Sequence, residues 1–314
     1  MEQKEKILTK DWVVALTAIL CCLLWGSAFP CIKIGYGLFH IASEDTASQI
    51  LFAGIRFALA GVLTIVIGSL TSGKALIPSG TTWTRILKLC LFQTVLQYLF
   101  FYVGLAHTTG VKASIIEASN VFFAILASCL IFRFEKFGKE KIFGCILGFA
   151  GVVLINLNGS GLDGGMSISG EGFILFSTLS YAFSSTLIKR YSQKDNPVLL
   201  SGYQFLLGGI IMACAGAGLG GHLEGFSLTS TALLFYMAVI SAVAYSLWAV
   251  LLKYNPVGKV AVYGFMNPVF GVILSAALLG EQNQAFTLQG LISLALVCGG
   301  IYVVNRESSV KKCK

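Results

Sequence analysis

Ten long apolar runs divide the sequence, and they limit what the chain can fold into more than any other feature. Most are about 18–25 residues long, so each can cross a hydrocarbon layer of about 30 Å as an α-helix. Lipid offers no hydrogen-bonding partner to open sheet edges and the runs lack alternating polarity, which favours helices over strands. The sequence therefore predicts an all-α integral membrane protein with ten transmembrane helices. The runs lie near residues 12–34, 46–69, 86–106, 111–132, 142–157, 169–188, 198–219, 230–252, 258–280 and 286–304.

The scarcity of charge excludes most soluble classes of protein. Hydrophobic residues make up 56% of the chain and charged residues only 11%, against roughly a quarter charged in a soluble domain. A globular protein of 314 residues needs more charged side chains than this to cover its surface. A soluble enzyme, a nucleic-acid-binding protein and a disordered chain are therefore excluded as first interpretations.

The positions of the basic residues predict the topology. If the N-terminus is cytoplasmic, 19 of the 22 Lys and Arg residues fall in the two tails and the loops on that side. The exceptions are Lys33 and Lys112 at outer helix ends and Arg56 inside the second run. Cytoplasmic loops are typically rich in Lys and Arg. We therefore expect a multi-pass protein of the cell membrane with cytoplasmic tails at residues 1–11 and 306–314.

The two halves of the chain match each other in order. The segment from Trp25 to Lys33 aligns with that from Tyr181 to Lys189. Further pairs join Gly54-Ile-Arg-Phe57 to Gly202-Tyr-Gln-Phe205, Tyr98 to Tyr245, Asn120 to Asn267, Glu135 to Glu281, Gly151 to Gly300 and Asn156 to Asn305. This pattern predicts two five-helix repeats, at residues 12–157 and 169–305. Because five is an odd number, the second repeat must enter the membrane in the inverted orientation, an arrangement typical of secondary transporters.

These residues resemble a known family over residues 12–305, the EamA-type ten-helix branch of the drug/metabolite transporter superfamily. The similar segments are Trp25-Gly-Ser-Ala-Phe in the first run, Arg56-Phe57 in the second, Asn267-Pro268-Val269 in the ninth, and Glu135 and Glu281 after the fourth and ninth. The resemblance implies a basket of helices 1–4 and 6–9 around a central cavity, flanked by helices 5 and 10. It also implies export or facilitated movement of amino acids or related metabolites.

The sequence departs from this pattern in two places. The Asn-Pro of the ninth run becomes Asn120-Val121 in the fourth, so a kink is expected in one half only. The related small multidrug exporters carry a proton-coupling Glu in their first helix, and the first run here has none. That coupling mechanism is therefore not transferred to this chain.

Arg56 and Glu117 are charges inside predicted spans. Each costs at least about 2.5–3.5 kcal/mol at a helix centre on insertion scales, so both should face protein or water. One hypothesis is a buried Arg56–Glu117 ion pair between the second and fourth helices. The other is substrate binding, in which Arg56 meets a carboxylate and Glu117 binds an amine or a proton. The two are compatible if the substrate displaces one partner.

Several aromatic and amide side chains also lie within the spans. Trp and Tyr usually collect at the membrane interfaces, and a hydroxyl or indole N–H in hydrocarbon needs a partner. We therefore predict a cavity suited to planar or apolar side chains, or to amines held over ring faces, with ordinary helix packing as the alternative. Together with Arg56 and Glu117, the predicted substrate-binding residues are Trp25, Gln97, Tyr98, Asn120, Tyr181, Gln204, Tyr245 and Asn267.

Four further residues are candidates for gating or anchoring. Pro30 and Pro268 lie inside the first and ninth runs, where each removes a backbone hydrogen bond and favours a kink. Lys33 and Lys189 are repeat partners at helix ends, and snorkelling of their charges to the interface is the alternative to a role in gating.

The leading hypothesis is a secondary transporter, an exporter or facilitator of small organic metabolites such as amino acids, working by alternating access. The alternatives are a channel or receptor and, with less support, a membrane-embedded enzyme. No cofactor or metal is predicted, because the nine cysteines lie in apolar runs or the tail without C-x-x-C spacing. The expected partners are a small-molecule substrate and the lipid bilayer, without nucleic acid. Proton coupling and the choice between monomer and homodimer are left open.

Overall fold

The computed structural model describes residues 7–132, 138–157, 167–255, 260 and 262–310. Within these ranges the chain is helical and contains no strand. Ten helical segments follow one another, with a single turn at Gln282–Ala285 before the last. They are α1 (Asp11–Leu38), α2 (Thr46–Ser72), α3 (Gly80–Ala106), α4 (Gly110–Ile131), α5 (Lys139–Leu157), α6 (168–191), α7 (Pro197–Gly218), α8 (Leu228–Tyr254), α9 (262–279) and α10 (Leu288–Val310).

The lengths and composition of these helices suit a membrane. Six of them, α1, α2, α3, α4, α7 and α8, contain stretches long and apolar enough to cross one, and α9 and α10 contain shorter apolar helices. The ten segments fall where the sequence predicts ten spans, and the all-α membrane fold is confirmed. Several boundaries differ by a few residues, and the largest differences are that α3 begins at Gly80 and α10 continues to Val310, both beyond the apolar runs.

Large apolar side chains are exposed on the outward faces of the helices, at helical spacing. Examples are Leu16 and Leu20 on α1, Val62 and Val66 on α2, and Ile146 and Val153 on α5. Patches of this size are rare on soluble monomers, but in a bilayer they meet lipid. The sequence therefore uses its apolar residues both between the helices and around them.

The repeat-equivalent helices α2 and α7 pack closely and antiparallel, along glycine-lined faces. A Cβ atom on Gly61 would lie 2.3 Å from the Leu206 nitrogen, and one on Gly209 would lie 2.1 Å from the Ala58 nitrogen. These two contacts are equivalent, since an offset of 148 converts one into the other. Only glycine allows two backbones to approach so closely.

The pair α5 and α10 repeats this arrangement. Gly151 packs against Val297, and Gly300 packs against Gly148, a contact that an offset of 149 maps onto the first. In both helix pairs, exchanging the two halves of the chain exchanges the contacts. Because the equivalent helices are antiparallel, the pseudo-two-fold axis is perpendicular to them and lies in the plane of the membrane. The two repeats are therefore inverted with respect to each other.

The other helix contacts obey the same symmetry. Helix α1 packs against α8 and α9, and its equivalent α6 packs against α3 and α4. The α5–α10 pair contacts α4 and α9. Helices α1–α4 and α6–α9 thus form one bundle, and α5 and α10 support it from one side.

The expected kink in one half only is wrong. In α9, a 3₁₀ turn at Val262–Phe265 precedes the α-helical part that contains Pro268 in its first turn. Helix α4 is interrupted at the equivalent position, Ala118–Ser119, without a proline. There the backbone tightens, and the Ser119 N–H donates to the Ile116 carbonyl at 2.9 Å. Both halves therefore carry an interruption at this position, with a proline beside it in α9 and none in α4.

The structure describes one further residue named in the sequence analysis, Pro30, but not two others. Pro30 lies inside α1, which continues to Leu38. Glu135 and the side chain of Asn305 lie outside the described residues, as do parts of both tails.

Candidate functional site

Two pairs of repeat-equivalent aromatic residues meet at the pseudo-two-fold axis. The hydroxyls of Tyr98 on α3 and Tyr245 on α8 are 3.0 Å apart. The rings of Phe57 on α2 and Phe205 on α7 lie 5.5 Å apart, centroid to centroid. Phe57 is 3.9 Å from Tyr98, and Phe205 is 4.9 Å from Tyr245. These four side chains, the central aromatic cluster, join both repeats at the centre of the bundle.

Trp25 and Tyr181 extend the central aromatic cluster toward α1 and α6. The Trp25 ring lies 5.4 Å from Tyr245 and 5.2 Å from Trp248. Its indole Nε1 is buried and has no hydrogen-bond partner. Tyr181, the repeat equivalent of Trp25, is half-buried and lies within electrostatic range of Glu117 and Tyr245. The structure thus brings together four of the predicted binding residues.

Arg56 is buried in the same region, with 3% of its surface exposed. Its guanidinium donates to the Tyr102 hydroxyl at 2.6 Å, to Ser241 Oγ at 3.2 Å and to the Met237 carbonyl at 3.1 Å. The guanidinium carbon also lies 4.9 Å from the centre of the Phe57 ring. Neutral acceptors and aromatic faces therefore hold this charge, in agreement with the rule that a buried charge must be hydrogen-bonded.

The hypothesis of an Arg56–Glu117 ion pair is wrong in this structure. Among the described residues, ion pairs join Arg85 to Asp195, Lys112 to Glu171 and His222 to Glu224. Glu117 is 8% exposed, and its Oε2 is buried without a hydrogen-bond partner. The physical reason is that α2 packs mainly against α7 and α8, not α4, so neutral groups on α3 and α8 reach Arg56 first.

Gln204 occupies the position of Arg56 in the second repeat. Its amide Nε2 donates to Gln93 Oε1 at 2.8 Å. Gln93 is in turn the equivalent of Ser241, the partner of Arg56, at the same offset of 148. The crossing of α2 with α8 and that of α7 with α3 therefore share one hydrogen-bonding scheme, with a cation in the first and neutral amides in the second.

The remaining amide residues lie near the helix interruptions or within α3. Asn120 begins the second part of α4, and Asn267 follows the 3₁₀ turn of α9. Helices α4 and α9 are antiparallel, because a Cβ on Gly271 would meet Ser114 and one on Gly110 would meet Ser275.

Glu117, one turn beyond Ser114, is therefore level with Asn267, one turn before Gly271. Asn267 Oδ1 is buried without a partner. Gln97, next to Tyr98, is buried and its Oε1 also lacks a partner. Unpaired polar atoms thus surround the central aromatic cluster on several helices.

The candidate anchoring lysines have different surroundings. The Lys33 ammonium donates to the carbonyls of Leu105 and Thr108, so it caps the C-terminal end of α3 and ties α1 to it. Lys189 lies exposed in the last turn of α6. These hydrogen bonds account for the position of the Lys33 ammonium, without snorkelling of the side chain to the membrane interface.

Glu281 hydrogen-bonds to the start of α4, a structural role that the sequence analysis did not predict when it paired Glu281 with Glu135. Its carboxylate accepts hydrogen bonds from the Gly110 and Val111 N–H groups at 3.1 and 2.9 Å. These are unpaired donors at the start of α4, where a negative charge also suits the helix dipole. Sequence reasoning missed the partners of Arg56 and Gln204 as well, although the offset of 148 relates Ser241 to Gln93.

No metal centre is found in the described part of the chain, where no group of three or more His, Cys, Asp and Glu residues could hold an ion. Six of the cysteines are buried in the helices, as expected of small packing residues.

Comparison with known proteins identifies the family. A model of the EamA-like transporter family matches residues 12–157 and 168–306. The chain is 26% identical to an uncharacterized transporter, YvbV, of Bacillus subtilis, over 98% of this chain and 96% of that protein. It is 24% identical to a probable amino-acid metabolite efflux pump of Salmonella typhimurium, over 91% of this chain and 92% of that one.

A solved crystal structure shares the fold. Its TM-score is 0.64 at 17% identity, and the match covers 95% of this chain and 97% of that one. The related proteins are named as transporters and not as enzymes, and the apolar helices make this a multi-pass membrane protein. The chain belongs to the EamA-like transporter family and is a membrane transporter of small molecules.

Proposed function

We propose that this transporter moves amino acids or related metabolites by alternating access, with the substrate held at the central aromatic cluster. One observation carries the proposal: repeat-equivalent residues, Tyr98 and Tyr245, meet hydroxyl to hydroxyl on the axis between two inverted repeats. Inverted-repeat transporters bind their substrates at the repeat interface near the midplane. The name of the Salmonella relative, an amino-acid metabolite efflux pump, supports this substrate class and export as the direction.

The chemistry of the cluster suits a substrate that is partly apolar and partly polar. Aromatic faces attract apolar side chains and ammonium groups. The unpaired atoms, Trp25 Nε1, Glu117 Oε2 and Asn267 Oδ1, supply one donor and two acceptors around these faces. In this scheme Glu117 binds the ammonium group or a proton, and Arg56 becomes a carboxylate anchor if the substrate replaces a neutral partner.

The symmetry of the helix contacts supports the proposal of alternating access. The contacts between α2 and α7 and between α5 and α10 map onto themselves when the halves exchange, so they persist in both states. Contacts such as those of Lys33 with α3 and of Glu281 with α4 close one end of the bundle. In the opposite state these contacts open and their equivalents at the other end form. The interruptions in α4 and α9 are then the places where the helices bend.

Counterflow in proteoliposomes tests the transport mechanism. Vesicles are loaded with one unlabelled amino acid and the entry of the labelled compound is followed, for aromatic and aliphatic members. We expect saturable uptake that overshoots its equilibrium level, weakened in Tyr98→Phe but not in the matched control Tyr302→Phe, whose side chain is exposed on α10. Uptake that rises linearly with concentration and shows no counterflow would instead identify a channel.

A second arm tests the proton. Uptake is measured from pH 5 to 8, with and without a pH gradient, for wild type, Glu117→Gln and the control Glu140→Gln, which is exposed on α5. If Glu117 carries the proton, only Glu117→Gln abolishes the pH dependence. An unchanged pH profile in a folded Glu117→Gln protein would remove the proton role and leave the substrate role intact.

We also propose that both termini lie in the cytoplasm and that the protein resides in the cell membrane. The distribution of Lys and Arg among the loops supports this orientation. Protease digestion of terminal tags in right-side-out and inverted vesicles tests it. Cleavage of either tag in right-side-out vesicles would contradict it.

A further inference from the structure

A basic cavity lies at one end of the bundle, away from the central aromatic cluster. It has a volume of about 340 Å³ and lies between the beginning of α3 and the end of α6. Volumes of this size are at the small end of those that hold ligands. The cavity is lined by Thr81, Thr84, Arg85, Lys88, Arg190, Tyr191 and Lys194.

The cavity carries an excess of positive charge. Four of its seven lining residues are cations. Arg85 is neutralised by an ion pair with Asp195, which also accepts a hydrogen bond from Thr82. Lys88 and Arg190 have no carboxylate partner among the described residues. The N-terminal end of α3, whose first turn contains Thr81, adds the positive end of a helix dipole.

The walls of the cavity are fixed by packing underneath it. A separate hydrophobic cluster joins Ile86 and Leu89 of α3 to Leu187 of α6 and Leu200 of α7. Three of the lining cations, Arg85, Lys88 and Arg190, therefore project from the packed ends of α3 and α6, and Lys194 lies in the turn that follows α6. This arrangement pre-organises a binding site.

The face of α3 that lines the cavity continues into lipid. Thr84, Leu87, Lys88 and Leu91 follow a spacing of three and four residues, so they share one face of the helix. The first and third line the cavity, whereas Leu87 is 55% exposed and Leu91 is exposed one turn deeper. Trp83, in edge contact with Tyr203, is typical of the membrane–water interface.

We propose that this cavity binds the phosphate-bearing head group of an anionic phospholipid, whose acyl chains lie along the exposed apolar face of α3. Lys88, Arg190 and Lys194 contact the phosphate, and Thr84 and Tyr191 donate hydrogen bonds to the head group. Basic pockets between helices at the membrane surface suit such head groups. The continuous apolar face favours a lipid over a free anion, which would gain nothing from Leu87 and Leu91.

Native mass spectrometry of the detergent-solubilised full chain, titrated with phosphatidylglycerol or phosphatidylcholine, tests this proposal. The variant Lys88→Gln/Arg190→Gln removes two lining cations. The matched control Lys10→Gln/Lys139→Gln removes two exposed cations elsewhere on the chain. Since each cation near the surface contributes about 1 kcal/mol, we expect phosphatidylglycerol to bind the cavity variant roughly 30-fold more weakly and the control as tightly as wild type.

Three results would overturn the proposal. The first is that the cavity variant binds phosphatidylglycerol as tightly as wild type does. The second is that phosphatidylcholine binds wild type as tightly as phosphatidylglycerol does. The third is that inorganic phosphate at millimolar concentration displaces the lipid, which would identify a site for a soluble anion. If the Gln variant does not fold, Lys88→Arg/Arg190→Lys and a salt titration of wild type replace it. The proposal is supported if Lys88→Arg/Arg190→Lys retains its affinity for phosphatidylglycerol and if the affinity of wild type falls as salt is added. Loss of affinity in that variant, or a wild-type affinity that salt does not change, overturns it.

Discussion

The crossing of α2 with α8 and the crossing of α7 with α3 share one backbone geometry but differ in charge. In the first, Arg56 donates to Ser241, and in the second, the equivalent Gln204 donates to Gln93. Glu117, another buried charge, also belongs to the first repeat, and its equivalent is Gly264. The helix packing is thus symmetric between the two repeats, whereas the buried polar side chains at equivalent positions differ in charge. Arg56 and Glu117, the buried charges that the proposed function assigns to the substrate, therefore both belong to the first repeat.

The largest expected effect tests whether the packing is symmetric. Gly61→Ala and Gly209→Ala each place a methyl group within 2.3 Å of the opposite backbone, so each should lower the free energy of unfolding by about 3 kcal/mol, the upper part of the range for overpacking. The two losses should be alike because the contacts are equivalent. Unfolding in mixed micelles measures them. Gly37→Ala, where nothing lies within 4 Å, is the control, and a large difference between the two variants would contradict the symmetry.

The next effect tests whether the polar chemistry is asymmetric. Ser241→Ala removes an acceptor of a charged donor and should lower the free energy of unfolding by about 2 kcal/mol, whereas Gln93→Met removes an acceptor of a neutral amide and should cost about 1 kcal/mol. The same unfolding assay applies. If Gln93→Met is the more damaging of the two, the charge at Arg56 does not strengthen its crossing.

A smaller effect should appear at the axis itself. Tyr98→Phe and Tyr245→Phe remove the same hydrogen bond, so the double variant should be little worse than either single one. The coupling energy of this double-mutant cycle should be about 1 kcal/mol. Additive losses would mean that each hydroxyl stabilises the protein through a separate partner.

The smallest effect concerns a charge outside both crossings. Burial by itself would raise the pKa of Asp195, but hydrogen bonds from Arg85 and Thr82 and the charges of Arg85 and Lys194 outweigh it, so the pKa lies below its ordinary value. Its contribution to stability is therefore present at neutral pH and is lost as the pH falls through the lowered folded-state pKa. Since such pairs contribute about 1 kcal/mol or less, wild type should melt slightly above Asp195→Asn at pH 7, and the difference between their melting curves should disappear as the pH falls to 3.

The sequence predicts the architecture well because the lengths of the apolar runs indicate the number of helices, and the offset between the repeats indicates which helices are equivalent. The ten runs become ten helical segments, and the match of Gly54-Ile-Arg-Phe57 with Gly202-Tyr-Gln-Phe205 anticipates the paired faces of α2 and α7. Because Arg56 and Glu117 are both charges inside predicted spans, an ion pair was one hypothesis, but a position within a helix does not reveal which neighbouring helix the side chain faces. Likewise, the interruption of α4 at Ala118–Ser119 has no proline from which the sequence could predict it.

The glycine-lined α2–α7 contact has a mechanical consequence. In the proposed alternating-access cycle, an interface that is unchanged by exchange of the two repeats need not rearrange when the bundle opens to the other side, so the remaining helices can move about it. A covalent cross-link between α2 and α7 would then leave the transport rate unchanged. A cross-link between the end of α1 and the end of α3, where Lys33 donates to the Leu105 and Thr108 carbonyls, would hold that end of the bundle closed and stop transport.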